Sequence, residues 1–178
     1  DALEGAGCER IYVLALYPQY ASSSTGSTRA HIFELAAARP HVPPITLLPD
    51  FYDHPEFIDA QAQLAEETFG DAPPDHVLFS FHGVPERQIK ATDLSSLVPG
   101  QTGAWCLEKA GCCDTINHSN RACYRAQCMA TARALVARLG LQPGEWSVSF
   151  QSRLGRTPWI QPFTDEVLAI LGARKLAR

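Results

Sequence analysis

The alternation of strand-like and helix-like segments is the feature that most constrains how this chain folds. Residues 10–16 form a short, continuous apolar run, which is typical of a strand buried on both faces. Strands are predicted at residues 10–16, 45–48, 76–81 and 146–150, and helices at residues 29–39, 55–69, 125–139 and 164–172. This order predicts an α/β fold with a mainly parallel sheet flanked by helices.

A polar or unusual loop follows each predicted strand. These loops are residues 17–27, 50–54, 82–90 and 151–159. Because ligands bind beyond the carboxyl ends of parallel strands, the four loops are expected along one edge of the sheet. His82 follows its strand directly, and a neutral imidazole there can accept a proton or bind a metal. The alternative interpretation is a histidine that caps the sheet edge through a hydrogen bond.

Other side chains in these loops are suited to ligand binding. Arg153 can bind a carboxylate or a phosphate, and Trp159 offers a flat apolar surface to a planar ligand. Trp159 equally suits core packing beside a proline turn, and Tyr17 and Tyr20 carry the same two interpretations. The chain has neither a P-loop nor a G-x-G-x-x-G fingerprint for nucleotides.

Composition and charge exclude several classes of protein. The 178 residues match one ordinary domain or a large piece of a two-domain protein. Hydrophobic residues make up 46% and charged residues 19%, which is typical of a globular chain. A net charge of −4 argues against a nucleic-acid partner. No apolar run reaches the ~20 residues of a membrane helix. The acidic start without a methionine is unlike a signal peptide and predicts a cut or processed chain.

Five of the six cysteines fall within one short stretch, at Cys106, Cys112, Cys113, Cys123 and Cys128. In a chain without a secretion signal, this clustering favours a metal or cluster site in a reducing compartment, and hence a cytoplasmic location. The alternative interpretation is that these cysteines only pack in the core as small hydrophobic residues. Residues 91–123 break the strand–helix rhythm and are interpreted as a cysteine-rich insert. We expect a bound metal centre to order this insert, against the alternative of a disordered surface loop.

Four motifs, in order along the chain, carry a resemblance to a known family. They are Leu-Tyr-Pro-Gln-Tyr at 16–20 with Thr-Gly-Ser at 25–27; Phe-Ser-Phe-His-Gly-Val-Pro at 79–85; Tyr-Arg-Ala-Gln-Cys at 124–128; and Phe-Gln-Ser-Arg at 150–153 with Pro-Trp at 158–159 and Thr-Asp-Glu at 164–166. Together they resemble the ferrochelatases, the lyases that insert iron into a porphyrin in haem biosynthesis.

The resemblance implies a chelatase-type, Rossmann-like fold of two similar α/β lobes with a porphyrin cleft between them. It implies ferrous iron as substrate, with protoporphyrin IX or coproporphyrin III as the porphyrin. His82 matches the family's invariant histidine, which is assigned either to proton abstraction from the pyrrole nitrogens or to metal delivery. The positions that match the porphyrin cleft are Tyr17, Tyr20, Ser22, Thr25, Arg153 and Trp159.

The resemblance also implies that residues 1–178 are the central portion of a ferrochelatase, with the end of one lobe and most of the other. Family members are much longer than this chain, and the motif that carries their second catalytic acid is not found in it. We therefore expect poor turnover from the chain by itself. Peripheral membrane contact stays open because a porphyrin is apolar, and no pattern sets an oligomeric state.

The cysteines resemble those of a microbial subset of ferrochelatases that hold a [2Fe–2S] cluster through an internal segment. Four thiolates are required, and the predicted ligands are Cys106, Cys113, Cys123 and Cys128, with Cys112 as the alternative to Cys113. A tetrahedral zinc fits the same residues. Two other functions compete. One is a non-catalytic metal-binding or redox-sensing module built on the cysteines, and the other is a cobalt or nickel tetrapyrrole chelatase, which the Tyr-Pro-Gln-Tyr and Gln-Ser-Arg motifs disfavour.

Overall fold

A computed structural model describes residues 2–174 and 176, apart from the side chain of Glu4. The chain divides into two compact units, residues 1–51 and 52–178. The strands are β1 (Ile11–Val13), β2 (Ile45–Leu47), β3 (Val77–His82) and β4 (Trp146–Gln151). The helices are α1 (Ala2–Gly5), α2 (Ser27–Ala37), α3 (Pro55–Phe69), α4 (Glu86–Ala91), α5 (Tyr124–Leu139) and α6 (Thr164–Ala173). The α/β class predicted from the sequence is confirmed.

The first unit is built around a parallel pair of short strands. β1 and β2 run side by side, with Ile11 opposite Ile45 and Val13 opposite Leu47. A short π-helical segment, Ser22–Gly26, runs directly into α2. The helix therefore begins two residues earlier than the predicted residue 29.

The second unit is built around a longer parallel pair. β3 and β4 are paired along their full lengths, from Val77 opposite Trp146 to His82 opposite Gln151. On this pair, α3 and α5 pack against each other through Ile58, Ala62 and Leu135. Pro55 starts α3 because its fixed φ suits the first helical turn. The predicted bounds of α3 agree with the structure.

A separate core cluster joins the cysteines to the β3–β4 pair. It contains Val84, Ile89, Val148, Phe150 and Ile160 together with the five clustered cysteines. Phe150 and Ile160 are each only 1% exposed. The thiols are thus part of the apolar interior of the second unit.

The expectation that all four loops lie along one sheet edge is wrong for the described residues. Their strands form two two-stranded sheets, β1–β2 and β3–β4, rather than one. Loops 17–27 and 50–54 follow the first pair, and loops 82–90 and 151–159 follow the second. Segment order predicts which elements exist, but strand neighbours depend on long-range backbone pairing that periodicity does not encode.

The segment 91–123 has a defined conformation with little regular structure. After α4 ends at Ala91, one short 3₁₀ turn spans Ser95–Leu97, and turns occupy most of the rest. Two polar side chains, Asp93 and Asn120, hold it together through hydrogen bonds to its backbone. In the part of the chain that the structure describes, no helix is both long enough and apolar enough to cross a membrane.

Candidate functional site

His82 is the last residue of β3, and its side chain is exposed. Its Nδ1 lies 2.6 Å from the backbone oxygen of Gly83. A carbonyl oxygen only accepts, so Nδ1 must carry the proton and donate it. In the neutral form of the ring, this hydrogen bond leaves the lone pair on Nε2. The two interpretations of His82 are therefore compatible, because one ring nitrogen makes the hydrogen bond that orients the ring and the other stays available to a proton or a metal.

The peptide group between His82 and Gly83 is held at both ends. Its N–H, from Gly83, donates to the backbone oxygen of Gln151 at 2.7 Å. Its carbonyl oxygen, from His82, accepts a hydrogen bond from the Tyr124 hydroxyl at 2.9 Å. The carbonyl of Gly83, which follows this peptide, accepts the hydrogen bond from the His82 imidazole. The orientation of the ring thus depends on contacts from β4 and α5.

Trp159 packs against this histidine loop. A Cβ placed on Gly83 would lie 3.3 Å from Cε3 of the indole. The backbones of Trp159 and Pro85 form an isolated antiparallel bridge, and the indole N–H donates to the Leu154 oxygen at 2.9 Å. The structure therefore places Trp159 against the loop that follows His82, and the residue is half-buried.

Arg153 is engaged within the chain. It follows Ser152, whose φ of 69° turns the chain sharply after β4. Its guanidinium donates to a carboxylate oxygen of Asp165 at 2.6 Å and stacks over the Phe163 ring at 4.1 Å. Asp165 is in the first turn of α6, where an acid is also favoured by the helix dipole. A second carboxylate, that of Glu166, lies 3.7 Å from the guanidinium, so both acidic partners of Arg153 belong to this chain.

The other predicted porphyrin-cleft residues lie in the first unit. Tyr17 and Ser22 are exposed, whereas Tyr20 is half-buried. The Arg29 guanidinium lies 5.7 Å from the centroid of the Tyr20 ring, a cation–π distance, and forms an ion pair with Asp50 at 3.0 Å. These contacts fix Tyr20 on the first unit.

Thr25 differs from its neighbours because it is buried. The residue is 1% exposed, and its hydroxyl has no hydrogen-bond partner among the described residues. An unsatisfied buried hydroxyl costs free energy, so it is found where a missing group would satisfy it or where packing imposes it.

Five thiols are buried together in the second unit, while Cys8 lies in the first unit and is partly exposed. Cys123 lies at the centre of this set, because its thiol interacts with those of Cys106 and Cys113. Cys128 is coupled electrostatically to Cys123 and Cys113. Cys112 lies at the periphery, where its Sγ is 3.7 Å from that of Cys113. The four predicted ligands therefore form one connected group, with Cys112 attached to it through Cys113.

Burial and interactions with neighbouring thiols raise the pKa values of the Cys112, Cys113, Cys123 and Cys128 thiols. The hydrogen bond with Cys106, together with burial, raises the pKa of Cys123 to about 12. Hydrogen bonding to Cys123 and burial raise the pKa of Cys113, and burial is the main cause that raises the pKa of Cys128. Against this, the Arg125 guanidinium donates to the Cys113 sulfur at 3.2 Å. A bound metal would supply the positive charge that four thiolates require.

The thiol arrangement does not form a ready-made site for one metal ion. Across the described residues, no three or more His, Cys, Asp or Glu side chains converge as ligands to a single ion. A [2Fe–2S] cluster and a tetrahedral zinc therefore both stay predictions for these thiols.

Asp93 is a residue that sequence reasoning missed. One carboxylate oxygen accepts the backbone N–H groups of Trp105 at 2.7 Å and of Cys106 at 2.8 Å, and the other accepts from Ser95 at 2.9 Å. Partial burial acts to raise the pKa of Asp93, but these N–H donors outweigh it and lower the pKa. The Asp-x-Ser turn was visible in the sequence, whereas the bonds to Trp105 and Cys106 were not.

Asn120 holds the other end of the same segment. It is fully buried, and its amide nitrogen donates to the carbonyl oxygens of Cys112 and Thr115, each at 2.8 Å. Its side-chain oxygen accepts from the Asn117 N–H at 2.7 Å. Asp93 and Asn120 thus hold the two turns that carry Cys106 and Cys112–Cys113 through hydrogen bonds to the backbone.

Cavity size does not locate this site. A cavity of about 730 Å³ lies in the first unit, with an apolar lining that includes Leu3, Ile32 and Leu35 and none of the predicted site residues. A smaller cavity of about 440 Å³ borders Cys112, Cys113 and Arg125 in the second unit. The candidate site is therefore identified by the residue types of the histidine loop and the cysteines and not by the volume of a cavity.

The parallel strand pairs, the histidine that ends β3 and the adjoining thiols fit the class of α/β metal chelatases. The family model that matches this chain is Ferrochelatase, and it covers residues 1–178. The chain therefore belongs to the ferrochelatase family, as its motifs predicted.

Curated relatives agree with this assignment. The chain is 42% identical over 179 residues to a ferrochelatase of Bdellovibrio bacteriovorus, covering 98% of this chain and 50% of that protein. It is 42% identical over 164 residues to a ferrochelatase of Legionella pneumophila strain Corby, with coverage of 92% and 46%. It is 41% identical over 180 residues to a ferrochelatase of Pseudomonas putida, with coverage of 99% and 51%. The chain spans about half the length of the curated relatives it matches.

Proposed function

We propose that this chain is the central portion of a ferrochelatase that inserts ferrous iron into a porphyrin in haem biosynthesis. The observation that carries the proposal is the Nδ1 hydrogen bond from His82 to the Gly83 oxygen at 2.6 Å. This bond sets the tautomer that leaves Nε2 as a base or metal ligand. Membership of the ferrochelatase family supplies the substrate class.

In this proposal, His82 acts at Nε2 in one of two ways. It accepts a proton from a pyrrole nitrogen as the metal replaces it, or it binds ferrous iron and delivers it. A pyrrole N–H is a very weak acid in water, so a base next to a distorted macrocycle is required for the first route. Insertion of Fe(II) releases two protons in either case. The porphyrin is protoporphyrin IX or coproporphyrin III.

The residues proposed to contact the porphyrin are Tyr17, Tyr20, Ser22, Thr25, Arg153 and Trp159. Trp159 is supported by its packing on the histidine loop, and Thr25 by its unsatisfied buried hydroxyl. Arg153 has the weakest support, because its guanidinium would have to leave Asp165 before it could bind a propionate.

We also propose that the thiols of Cys106, Cys113, Cys123 and Cys128 hold a [2Fe–2S] cluster. The support is that these thiols are buried, that hydrogen bonds connect Cys123 with Cys106 and Cys113, that Cys128 is electrostatically coupled to Cys123 and Cys113, and that the Arg125 guanidinium donates to Cys113. Cys113 is preferred to Cys112 because it contacts Cys123, whereas Cys112 contacts the group only through Cys113. When bound, the cluster would supply a one-electron redox centre. All six cysteines are free thiols, which fits a reducing compartment such as the cytoplasm.

The test of the catalytic proposal is an anaerobic metal-insertion assay followed by the porphyrin absorption bands. This chain, its full-length parent and the parent carrying His82→Ala are mixed with porphyrin and ferrous iron. We expect turnover from the parent, little from the chain alone and none from His82→Ala. A matched control is His54→Ala, because His54 is an exposed histidine paired with Glu56 at 2.7 Å. A His82→Ala parent that inserts iron at the normal rate would show that the catalytic assignment is wrong.

The runner-up function is a non-catalytic metal-binding or redox-sensing module. It is favoured by one observation, which is that the complete thiol group lies within the second unit. The insertion assay distinguishes the two functions. In a chelatase, His82→Ala abolishes iron insertion, and in either function it leaves the absorption of the cluster intact. A parent that binds the cluster but never metallates a porphyrin would favour the module.

A further inference from the structure

The cavity of about 440 Å³ in the second unit has a lining rich in charged side chains. Six of its thirteen lining residues are charged, and the basic ones outnumber the acidic ones by four to two. The basic residues are Lys90, Lys109, Arg125 and Arg133, and the acidic residues are Glu86 and Asp114. Since the whole chain has a net charge of −4, this cavity concentrates positive charge on an otherwise acidic protein.

Two arginines of α5 line one side of the cavity. Arg125 and Arg133 both line it, and so does Met129, midway between them. Residues four positions apart share a helix face, so these three side chains form one row. A regular helix rises 1.5 Å per residue, which places the Cα atoms of the two arginines about 12 Å apart along the axis. The two positive charges of the row are therefore two helical turns apart.

The two arginines have donors that the described residues leave unused. Arg125 donates from Nε to the Gln161 oxygen and from Nη1 to the Cys113 sulfur, each at 3.2 Å. The side chain of Arg133 makes no hydrogen bond or ion pair with any described residue. A guanidinium group has five N–H donors and stays charged in proteins. Both side chains therefore have N–H groups to offer to a ligand in the cavity.

The absence of a carboxylate partner sets these arginines apart from Arg138, which lies on the same helix but does not line the cavity. Arg138 forms ion pairs with Asp59 at 2.7 Å and with Glu66 at 2.9 Å. Within the described part of the chain, neither Glu86 nor Asp114 forms such a pair with a cation of the cavity. The acidic side chains of the lining therefore do not neutralise its arginines.

The two lysines add exposed charge to the cavity. Lys90 forms an ion pair with Glu108 at 3.3 Å. Lys109 lies over the Trp105 ring, with its Nζ 4.9 Å from the centroid. A cation above a ring keeps its full charge, so Lys109 still attracts an anion.

We propose that this cavity binds a small oxyanion with two or more negative charges, of the phosphate or polycarboxylate class. Guanidinium groups bind such anions through paired N–H donors. Because the two arginines are two turns apart, one ligand reaches both only if its charge lies at more than one position. This requirement favours pyrophosphate or citrate over acetate or chloride. Small-molecule sites have volumes of roughly 300–1,000 Å³, which includes this cavity. The inference rests neither on the role of His82 nor on a metal centre.

The first measurement locates the site by arginine modification. The full-length parent is treated with phenylglyoxal, which reacts with accessible guanidinium groups, and the modification of each arginine is timed by mass spectrometry. Parallel samples contain pyrophosphate, citrate or sodium chloride at equal ionic strength. We expect pyrophosphate and citrate to slow the modification of Arg133 and sodium chloride to leave it unchanged. Arg87 is the internal control, since it is exposed on α4 and does not line the cavity.

The pattern of protection decides the outcome. Protection of Arg133 by both anions supports a site that reads charge, and protection by only one of them supports the site and identifies its ligand as a phosphate or a polycarboxylate. Lack of protection by either anion would overturn the proposal. Equal protection of Arg133 and Arg87 would overturn it as well, because it would show a general effect of the anion on exposed arginines.

The second measurement is the affinity of the parent for pyrophosphate, by titration calorimetry. Arg133→Gln is expected to weaken binding roughly ten- to hundredfold, the range for hydrogen bonds to a charged group. Arg133→Lys keeps the charge and loses the forked donors, so its affinity is expected to fall between the two. Arg87→Gln makes the same change outside the cavity, and less than about a twofold effect is expected. Wild-type affinity in a folded Arg133→Gln variant would overturn the proposal.

Lys109→Gln repeats the test at an exposed position, because Arg133 is half-buried and its replacement can affect folding. The loss of one exposed charge is expected to weaken pyrophosphate binding roughly two- to fivefold. Thermal unfolding shows whether each variant is folded. Unchanged affinity in Lys109→Gln, together with unprotected Arg133 in the wild-type parent, would overturn the proposal without recourse to the Arg133 variants.

Discussion

The N–H of Gly83 donates to the backbone oxygen of Gln151 at 2.7 Å, and a Cβ added at Gly83 would lie 2.8 Å from that same oxygen. The close approach joins the histidine loop to the end of β4. Both groups are backbone, so neither can swing aside to make room as a flexible side chain would.

Gly83→Ala is therefore expected to destabilise the second unit by about 1–3 kcal/mol, the usual cost of overpacking a close contact. Urea unfolding of the Gly83→Ala variant and of the wild-type chain measures this loss of stability. Gly172→Ala is the control, because a Cβ there meets nothing within 4 Å and lies in α6. That substitution is expected to stabilise by roughly 0.5–1 kcal/mol. Equal stability of Gly83→Ala and wild type would contradict the close approach.

Cys112→Ser and Cys113→Ser are expected to differ. Cys113 contacts Cys123, whereas Cys112 contacts only Cys113 among the thiols. After anaerobic purification, Cys113→Ser should lose the visible colour, the iron and the acid-labile sulfide, and Cys112→Ser should keep them. Cys106→Ser and Cys123→Ser should behave like Cys113→Ser.

The control for this series is Cys8→Ser, because Cys8 lies in the first unit. Retention of the cluster by Cys113→Ser together with its loss from Cys112→Ser would reverse the ligand assignment. Stoichiometric zinc without sulfide in the wild-type chain would establish a zinc site instead.

Asp93→Asn is expected to loosen the turn that carries Cys106. The carboxylate accepts three backbone N–H groups, and an amide group offers a single acceptor atom. Hydrogen bonds to a charged group contribute about 1.5–3 kcal/mol each, so a loss of about 2 kcal/mol is expected. Hydrogen exchange of the Trp105 and Cys106 amides reports the change locally.

Asp71→Asn serves as the control for Asp93→Asn, since Asp71 is exposed. If both variants show the wild-type exchange rates at Trp105 and Cys106, then Asp93 does not hold the segment. If a metal orders this segment instead, removal of the metal by a chelator would speed hydrogen exchange at Trp105 and Cys106 in the wild-type chain.

Thr25→Val is expected to stabilise the first unit by about 1 kcal/mol, because it removes a buried hydroxyl without a partner among the described residues. Thr131→Val is the opposite case, since that hydroxyl donates to the Tyr52 oxygen at 2.6 Å. It is expected to cost about 1 kcal/mol. Thermal unfolding of the two variants should move in opposite directions. A Thr25→Val chain that is less stable than wild type would show that the hydroxyl is satisfied in solution.

Much of the local structure was predictable from the sequence. The bounds of α3 agree with the structure, α5 begins one residue earlier than predicted, and β3 is displaced by one residue. These elements are long enough for their apolar periodicity to be read. Helix α4 was missed within loop 82–90, because only Ile89 among its six residues is buried. A helix of that length shows no periodicity.

The candidate site was predictable in its residue types and only partly in its connections. The sequence alone determined the histidine after a strand, the crowded cysteines and the family motifs, because these are patterns of neighbouring residues. The tertiary structure decided that the strands form two pairs, that Arg153 meets Asp165 and that Tyr124 reaches the His82 carbonyl. Such contacts join residues far apart in the chain. They follow from how the elements pack, which local propensity and periodicity do not specify.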